Sequence, residues 1–240
     1  MEIEYILIFL IIFIGALIQG MTSFGSSLFA LPLLLYFLDV KEIVPLLATY
    51  NLFMNTLIFR KIGKDANLKS ISPLLITAII FTLVGAFALK GLDTKYIKIT
   101  IGIMMLITST TSLFGLKVLF KKPEKLFIPV GMVSGLLNGS TGMSGPPVLL
   151  FLSNQNVEKN VFRSTLTSYF LVLNVISITT YAFTKIYNND VLKLVVLYLP
   201  ALISGTLIGI KLGNKINEKL FKKIVLGFVF VMGILLLLKA

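Results

Sequence analysis

The 240-residue chain contains no cysteine and no histidine. Without cysteine there is no disulfide framework, no thiolate nucleophile and no Cys-based metal site. Acidic residues are scarce as well: the ten are Glu2, Glu4, Asp39, Glu42, Asp65, Asp93, Glu124, Glu158, Asp190 and Glu218, all in termini or expected loops. Intramembrane Asp, Glu and His are the usual parts of proton relays, and hydrolysis needs a nucleophile with a base, or a metal. An enzyme, a bound metal and a resident cofactor are therefore not expected. Lys and Arg also keep to the expected loops, so no cationic clamp for an anion is expected within the membrane.

What remains is largely apolar. Hydrophobic residues make up 57% of the chain, charged residues 13%, and the mean hydropathy is +0.97. A soluble domain of this length buries far less, so the chain reads as a multi-pass membrane protein. Its net charge of +12 comes from 22 Lys and Arg, which cluster in short loops where they set orientation and meet anionic lipid heads. Nucleic-acid binding is not expected. Glu2 and Glu4 lead into the first apolar run, where a secretory signal would be basic, so that run is read as part of the mature fold.

Apolar segments cover roughly 5–20, 24–38, 43–59, 72–90 and 97–116, then 126–138, 143–153, 164–184, 191–210 and 221–238. Most approach the ~20 residues a helix needs to cross the hydrocarbon layer. The pieces at 126–138 and 143–153 would reach only about 20 and 17 Å, too short for two separate crossings. Basic residues decide how such pairs run. With each broken pair as a re-entrant hairpin, the loops at 60–71, 117–125, 154–163 and 211–223 share one side and carry 15 Lys and Arg against 7 opposite. With each pair as one crossing, the division is 11 against 11. The positive-inside rule favours the hairpins. The expected fold is an all-α polytopic protein of two inverted repeats, 1–120 and 121–240. Each is a broken-helix hairpin followed by three transmembrane helices, with both termini outside the cell membrane.

The polar interruptions correspond between the halves. Gln19-Gly20-Met21-Thr22-Ser23-Phe24-Gly25-Ser26-Ser27 is matched 119 positions later by Asn138-Gly139-Ser140-Thr141-Gly142-Met143-Ser144-Gly145-Pro146, and Tyr50 and Asn55 are matched by Tyr169 and Asn174. Such breaks at corresponding places point to a transport site near the bilayer midplane. Non-helical backbone at that depth must be buried in protein or line a wet cavity, so the breaks are expected to meet. Gly20, Gly25, Gly139, Gly142 and Gly145 permit positive φ or close backbone approach, and Pro146 suits the first turn of a second half-helix. The free N–H groups of such a helix start bind anions without a cationic side chain. Thr22, Ser23, Ser26, Ser27, Ser140, Thr141 and Ser144 add hydroxyls, and Gln19, Asn51, Asn55, Asn138 and Asn174 add carboxamides. The competing reading is that small and amide residues only serve helix packing.

At Gly15-x4-Gly20-x4-Gly25 with Pro32, and at Ser134-Gly135-Leu136-Leu137-Asn138-Gly139-x2-Gly142-x2-Gly145-Pro146-Pro147, the sequence resembles the TauE/SafE family of sulfite or sulfonate exporters. The first motif carries Gly25-Ser26-Ser27 where that family has a run of glycines. The resemblance spans the chain and implies a two-halved transporter of small oxyanions or organosulfur anions. The expected function is export of a small anion such as sulfite or a sulfonate, with lipids and that anion as partners; a homodimer is compatible with it. A channel with a neutral filter and a non-transporting membrane scaffold are the alternatives.

Overall fold

A computed structural model describes residues 2–114, 123–152, 158–212 and 218–239. The expected loop stretches 117–122, 154–157 and 213–217, the expected repeat boundary at 120 and the end residues Met1 and Ala240 lie outside the described residues. Ten α-helices follow one another: α1 (Glu2–Thr22), α2 (Ser26–Leu34), α3 (Val40–Ile62), α4 (Ser72–Gly91), α5 (Thr94–Leu113), α6 (Phe127–Thr141), α7 (Gly145–Leu152), α8 (Lys159–Phe183), α9 (Asn189–Leu212) and α10 (Glu218–Lys239). Among the described residues six helices, α1, α3, α4, α5, α8 and α9, are long and apolar enough to span a bilayer. One expectation is corrected here. The apolar segment expected at 5–20 is longer as a helix: α1 has 21 residues, about 31 Å, and is long enough to cross alone. Its counterpart α6 has 15.

The helices start where the sequence caps them. Asp39 accepts from the Lys41 N–H while Glu42 reaches back to the Asp39 N–H, a capping box for α3. Asp93 accepts from the Lys95 N–H at the start of α5, and Asn188 from the N–H groups of Asp190 and Val191 at α9. Each short helix folds back along its predecessor. Ala30 of α2 lies beside Gly15 of α1, and the Ser134 hydroxyl of α6 donates to the Ser144 carbonyl at the mouth of α7.

Packing follows an exchange pattern. The first helix of each half lies against the fourth helix of the other: α1 against α9, and α6 against α4. Likewise α3 pairs with α8 and α5 with α10, and α3 meets α9 as α8 meets α4. Swapping the first five helices for the last five maps this set onto itself. The tight crossings rest on glycine: a Cβ on Gly131, Gly135 or Gly139 would stand 2.5, 2.3 or 2.1 Å from the carbonyl oxygens of Leu74, Ala78 and Thr82. The four-residue spacing on both helices brings backbone to backbone along α4 and α6, as small-residue stripes do in membrane helices. Gly20 and Gly209 do the same for α1 and α9.

Polarity is inside out relative to a soluble protein. Ile76, Ile80, Val84 and Phe87 form an exposed stripe on α4, while Gln19, Asn51, Asn55, Asn138 and Asn174 are buried. Lys41 Nζ donates to the Lys90 carbonyl at one end of the bundle. Near the start of α8, the Asn67 N–H donates to Thr165 Oγ1, tying the basic 60–71 loop to that end of α8.

Candidate functional site

Both breaks wall one small cavity. Gln19, Phe24, Gly25, Ser26, Ser27 and Leu28 line it from the first break, and Asn138, Gly142, Met143, Ser144, Gly145 and Pro146 from the second. Asn51 and Asn55 of α3 and Phe170 and Asn174 of α8 complete the wall. No charged side chain is among these residues. The cavity has a volume of about 50 Å³, room for a few waters or one compact ion.

Positive φ turns the chain at each break. Gly25 has φ 100° and Gly142 φ 68°, a region that disfavours side chains. Beyond Gly25, helix α2 begins at once, and its first intrahelical bond is Phe29 N–H to the Gly25 carbonyl. The N–H groups of Ser26, Ser27 and Leu28 thus have no carbonyl in their own helix. Helix α7 starts differently. Pro146 and Pro147 occupy its first turn and bring no N–H at all.

Side chains extend the difference. In the first half Gln19 Nε2 donates to Asn55 Oδ1 at 3.1 Å, and Asn51 Nδ2 to Ser27 Oγ at 2.9 Å. The Ser26 hydroxyl sits between the carboxamide oxygens of Gln19 and Asn51; having one proton, it donates to one at a time. In the second half Asn138 Nδ2 turns to Ser177 Oγ at 2.7 Å. The side chains of Ser144 and Asn174, both buried, have no hydrogen-bond partner among the described residues. They border the cavity with donors to spare.

The sulfite exporter TauE/SafE family matches residues 7–236, nearly the whole chain. The chain belongs to the TauE/SafE family. Comparison with curated proteins and with solved structures gives no match. The match makes the protein a member of a membrane transporter family and agrees with the buried polar centre inside an apolar shell.

Several residues expected at the site stand elsewhere in this TauE/SafE protein. Gly20 and Gly139 serve the helix crossings, where a Cβ would strike the Thr206 and Thr82 carbonyl oxygens. For these two the packing reading holds. Ser140 and Thr141 return their hydroxyls to the Leu136 and Leu137 carbonyls of α6, and neither lines the cavity. The Thr22 hydroxyl donates to either the Ile18 or the Phe24 carbonyl and borders a separate crevice beside α10. Ser23 is buried and accepts two bonds from Arg163. Arg163 belongs to α8, which begins at Lys159, and so reaches Ser23 at the edge of the first break while standing outside the cavity wall.

Four wall residues, Phe24, Leu28, Met143 and Phe170, are missing from the sequence-derived set. An apolar residue inside an apolar run carries no mark of its own. The available signal was register, since Phe24 and Met143 occupy matching places 119 positions apart beside the break glycines.

Proposed function

We propose that this protein carries a small oxyanion of the sulfite class out of the cell through the cavity between its two helix breaks. One observation bears most of the weight: both breaks and the carboxamides of α3 and α8 converge on a single cavity with no charge in its wall. The unpaired N–H groups at the start of α2 supply positive potential. Ser144 and Asn174 supply further donors. A cavity of this size suits sulfite or a short sulfonate better than a bulky organosulfur compound.

Topology supports direction. The Asn67–Thr165 bond groups the 60–71 loop with the start of α8, and the Lys41–Lys90 bond groups the loops at 39–42 and 90–98, as the hairpin arrangement requires. The exchange pattern of helix pairings agrees with an inverted repeat. With the basic loops in the cytoplasm and both termini outside, a potential of 100 mV, negative inside, favours exit of each anionic charge by about 2.3 kcal/mol. The lack of a titrating side chain in the cavity wall argues for a facilitator driven by this potential and the concentration gradient.

The test is sulfite flux in liposomes containing the purified protein. Saturable flux with counterflow is expected; flux that never saturates would favour a channel, and no flux of sulfite, methanesulfonate or acetate would remove the proposal.

A further inference from the structure

The cavity wall leaves one nearby cation unused. Arg163 is half-buried, and its Nε and Nη2 both donate to Ser23 Oγ, at 3.1 and 2.9 Å. A hydroxyl accepts these bonds without offsetting the charge. No carboxylate among the described residues forms an ion pair with Arg163. The guanidinium has five N–H donors, so about three remain for another acceptor.

Its position relates it to the cavity. Residues seven and eleven apart lie two and three turns along the same helix face, so Arg163 shares a stripe of α8 with Phe170 and Asn174, which line the wall. It stands about 10 Å along the helix from Phe170. Ser23 is joined directly to Phe24, another wall residue. Guanidinium, Phe24 and cavity therefore follow in sequence from the end of the molecule that carries the 60–71 loop. At the matching place on the other break the pair is Val44 and Gly142, with Val44 Cγ1 at 3.9 Å from a Cβ placed on Gly142. Neither member of that pair carries a charge.

We infer that Arg163 is the anion-receiving residue at this mouth, held by Ser23 between turnovers and transferred to the oxyanion when one arrives. The inference rests on the anion reading above. A planar fork suits two oxygens of a sulfite or sulfonate group, and such an ion offers the negative charge that Ser23 lacks. Ser23 has φ 69°, a conformation a glycine adopts freely, so Ser23→Gly removes the hydroxyl without straining the turn.

Sulfite binding, followed by thermal stabilisation of the full-length protein, and sulfite flux in liposomes at low and high salt provide the test. Arg163→Gln is expected to raise the half-saturating sulfite concentration about 10- to 100-fold and to flatten the salt dependence. Arg163→Lys should keep the salt dependence with weaker binding. Ser23→Gly should bind sulfite as tightly as wild type or more so. A merely structural tie between α8 and the break would make Ser23→Gly and Arg163→Gln fail alike, and that result overturns the inference, as does wild-type binding by Arg163→Gln. If Arg163→Gln does not fold, Ser23→Gly and Arg163→Lys still decide. Wild-type protein that neither binds nor carries sulfite overturns the anion reading as well, whereas normal wild-type flux with an unaffected Arg163→Gln overturns this inference alone.

Discussion

Around the first break, Gln19, Ser26, Ser27, Asn51 and Asn55 bond to one another across three helices. At the second, Asn138 bonds away toward Ser177, and Ser144 and Asn174 keep donors that no described residue takes up. The backbone differs in the same sense: α2 starts with three N–H groups that no described residue accepts, while α7 has two prolines in its first turn. The halves thus share a frame and divide the labour. The first break is a rigid wall whose donors are fixed in place; the second holds side chains whose hydrogen bonds a ligand would complete. Ser144 and Asn174 line the cavity, where water or a polar ligand can complete their hydrogen bonds.

The largest effect should come from putting charge of the wrong sign into the second break. Ser144 borders the cavity just before α7, whose prolines offer no N–H to a capping carboxylate, so folding of Ser144→Asp is checked first by its melting temperature in detergent. Its carboxylate would oppose the anion in a low-dielectric cavity, and sulfite flux should fall by at least about 100-fold. Folded Ser144→Asp protein with wild-type flux would show that the second break does not meet the ligand.

A paired substitution sharpens the division of labour. Asn174→Ala should weaken sulfite binding about 10-fold and leave the melting temperature of the ligand-free protein nearly unchanged. Asn51→Ala should lower that melting temperature, because it removes the donor to Ser27 Oγ at a cost of about 1–3 kcal/mol, while Ser26 keeps Gln19. Equal stability losses in the two variants would erase the contrast between the breaks.

Glycines separate crossing from turn. Gly139→Ala places a Cβ 2.1 Å from the Thr82 carbonyl oxygen, and should destabilise the α4–α6 contact by about 3 kcal/mol. Gly142→Ala meets only Val44, at 3.9 Å, and should cost about 1 kcal/mol for its left-handed backbone. Denaturation in detergent ranks them. A smaller loss, about 1 kcal/mol, is expected for Tyr169→Phe, whose hydroxyl donates to Ser134 Oγ at 2.8 Å and so supports the Ser144 carbonyl through Ser134.

The helices were legible because apolar runs of the right length are interrupted by residues that lipid cannot satisfy, and that same contrast marked both breaks. Within a break the sequence did not rank its members. Gly20 and Gly25 are the same residue type, yet one touches a carbonyl of α9 and the other turns the chain at φ 100°; only the tertiary packing separates these uses. Ser140 and Thr141 looked like donors to a ligand, but a hydroxyl inside a helix can return its proton to the carbonyl four residues back, and theirs do. Arg163 escaped notice because basic residues near an expected loop read as orientation signals. Its spacing of seven and eleven residues before Phe170 and Asn174 was the clue that it faces the same way.

The central claim is that the two breaks form one anion site. Crystals soaked in selenite, the heavier analogue of sulfite, test it through the anomalous signal of selenium. A peak is predicted inside the cavity, within hydrogen-bonding reach of the Ser26 and Ser27 N–H groups on one side and of Ser144 and Asn174 on the other. Selenium bound only outside that cavity, with water or packed side chains between the two breaks, would contradict the account.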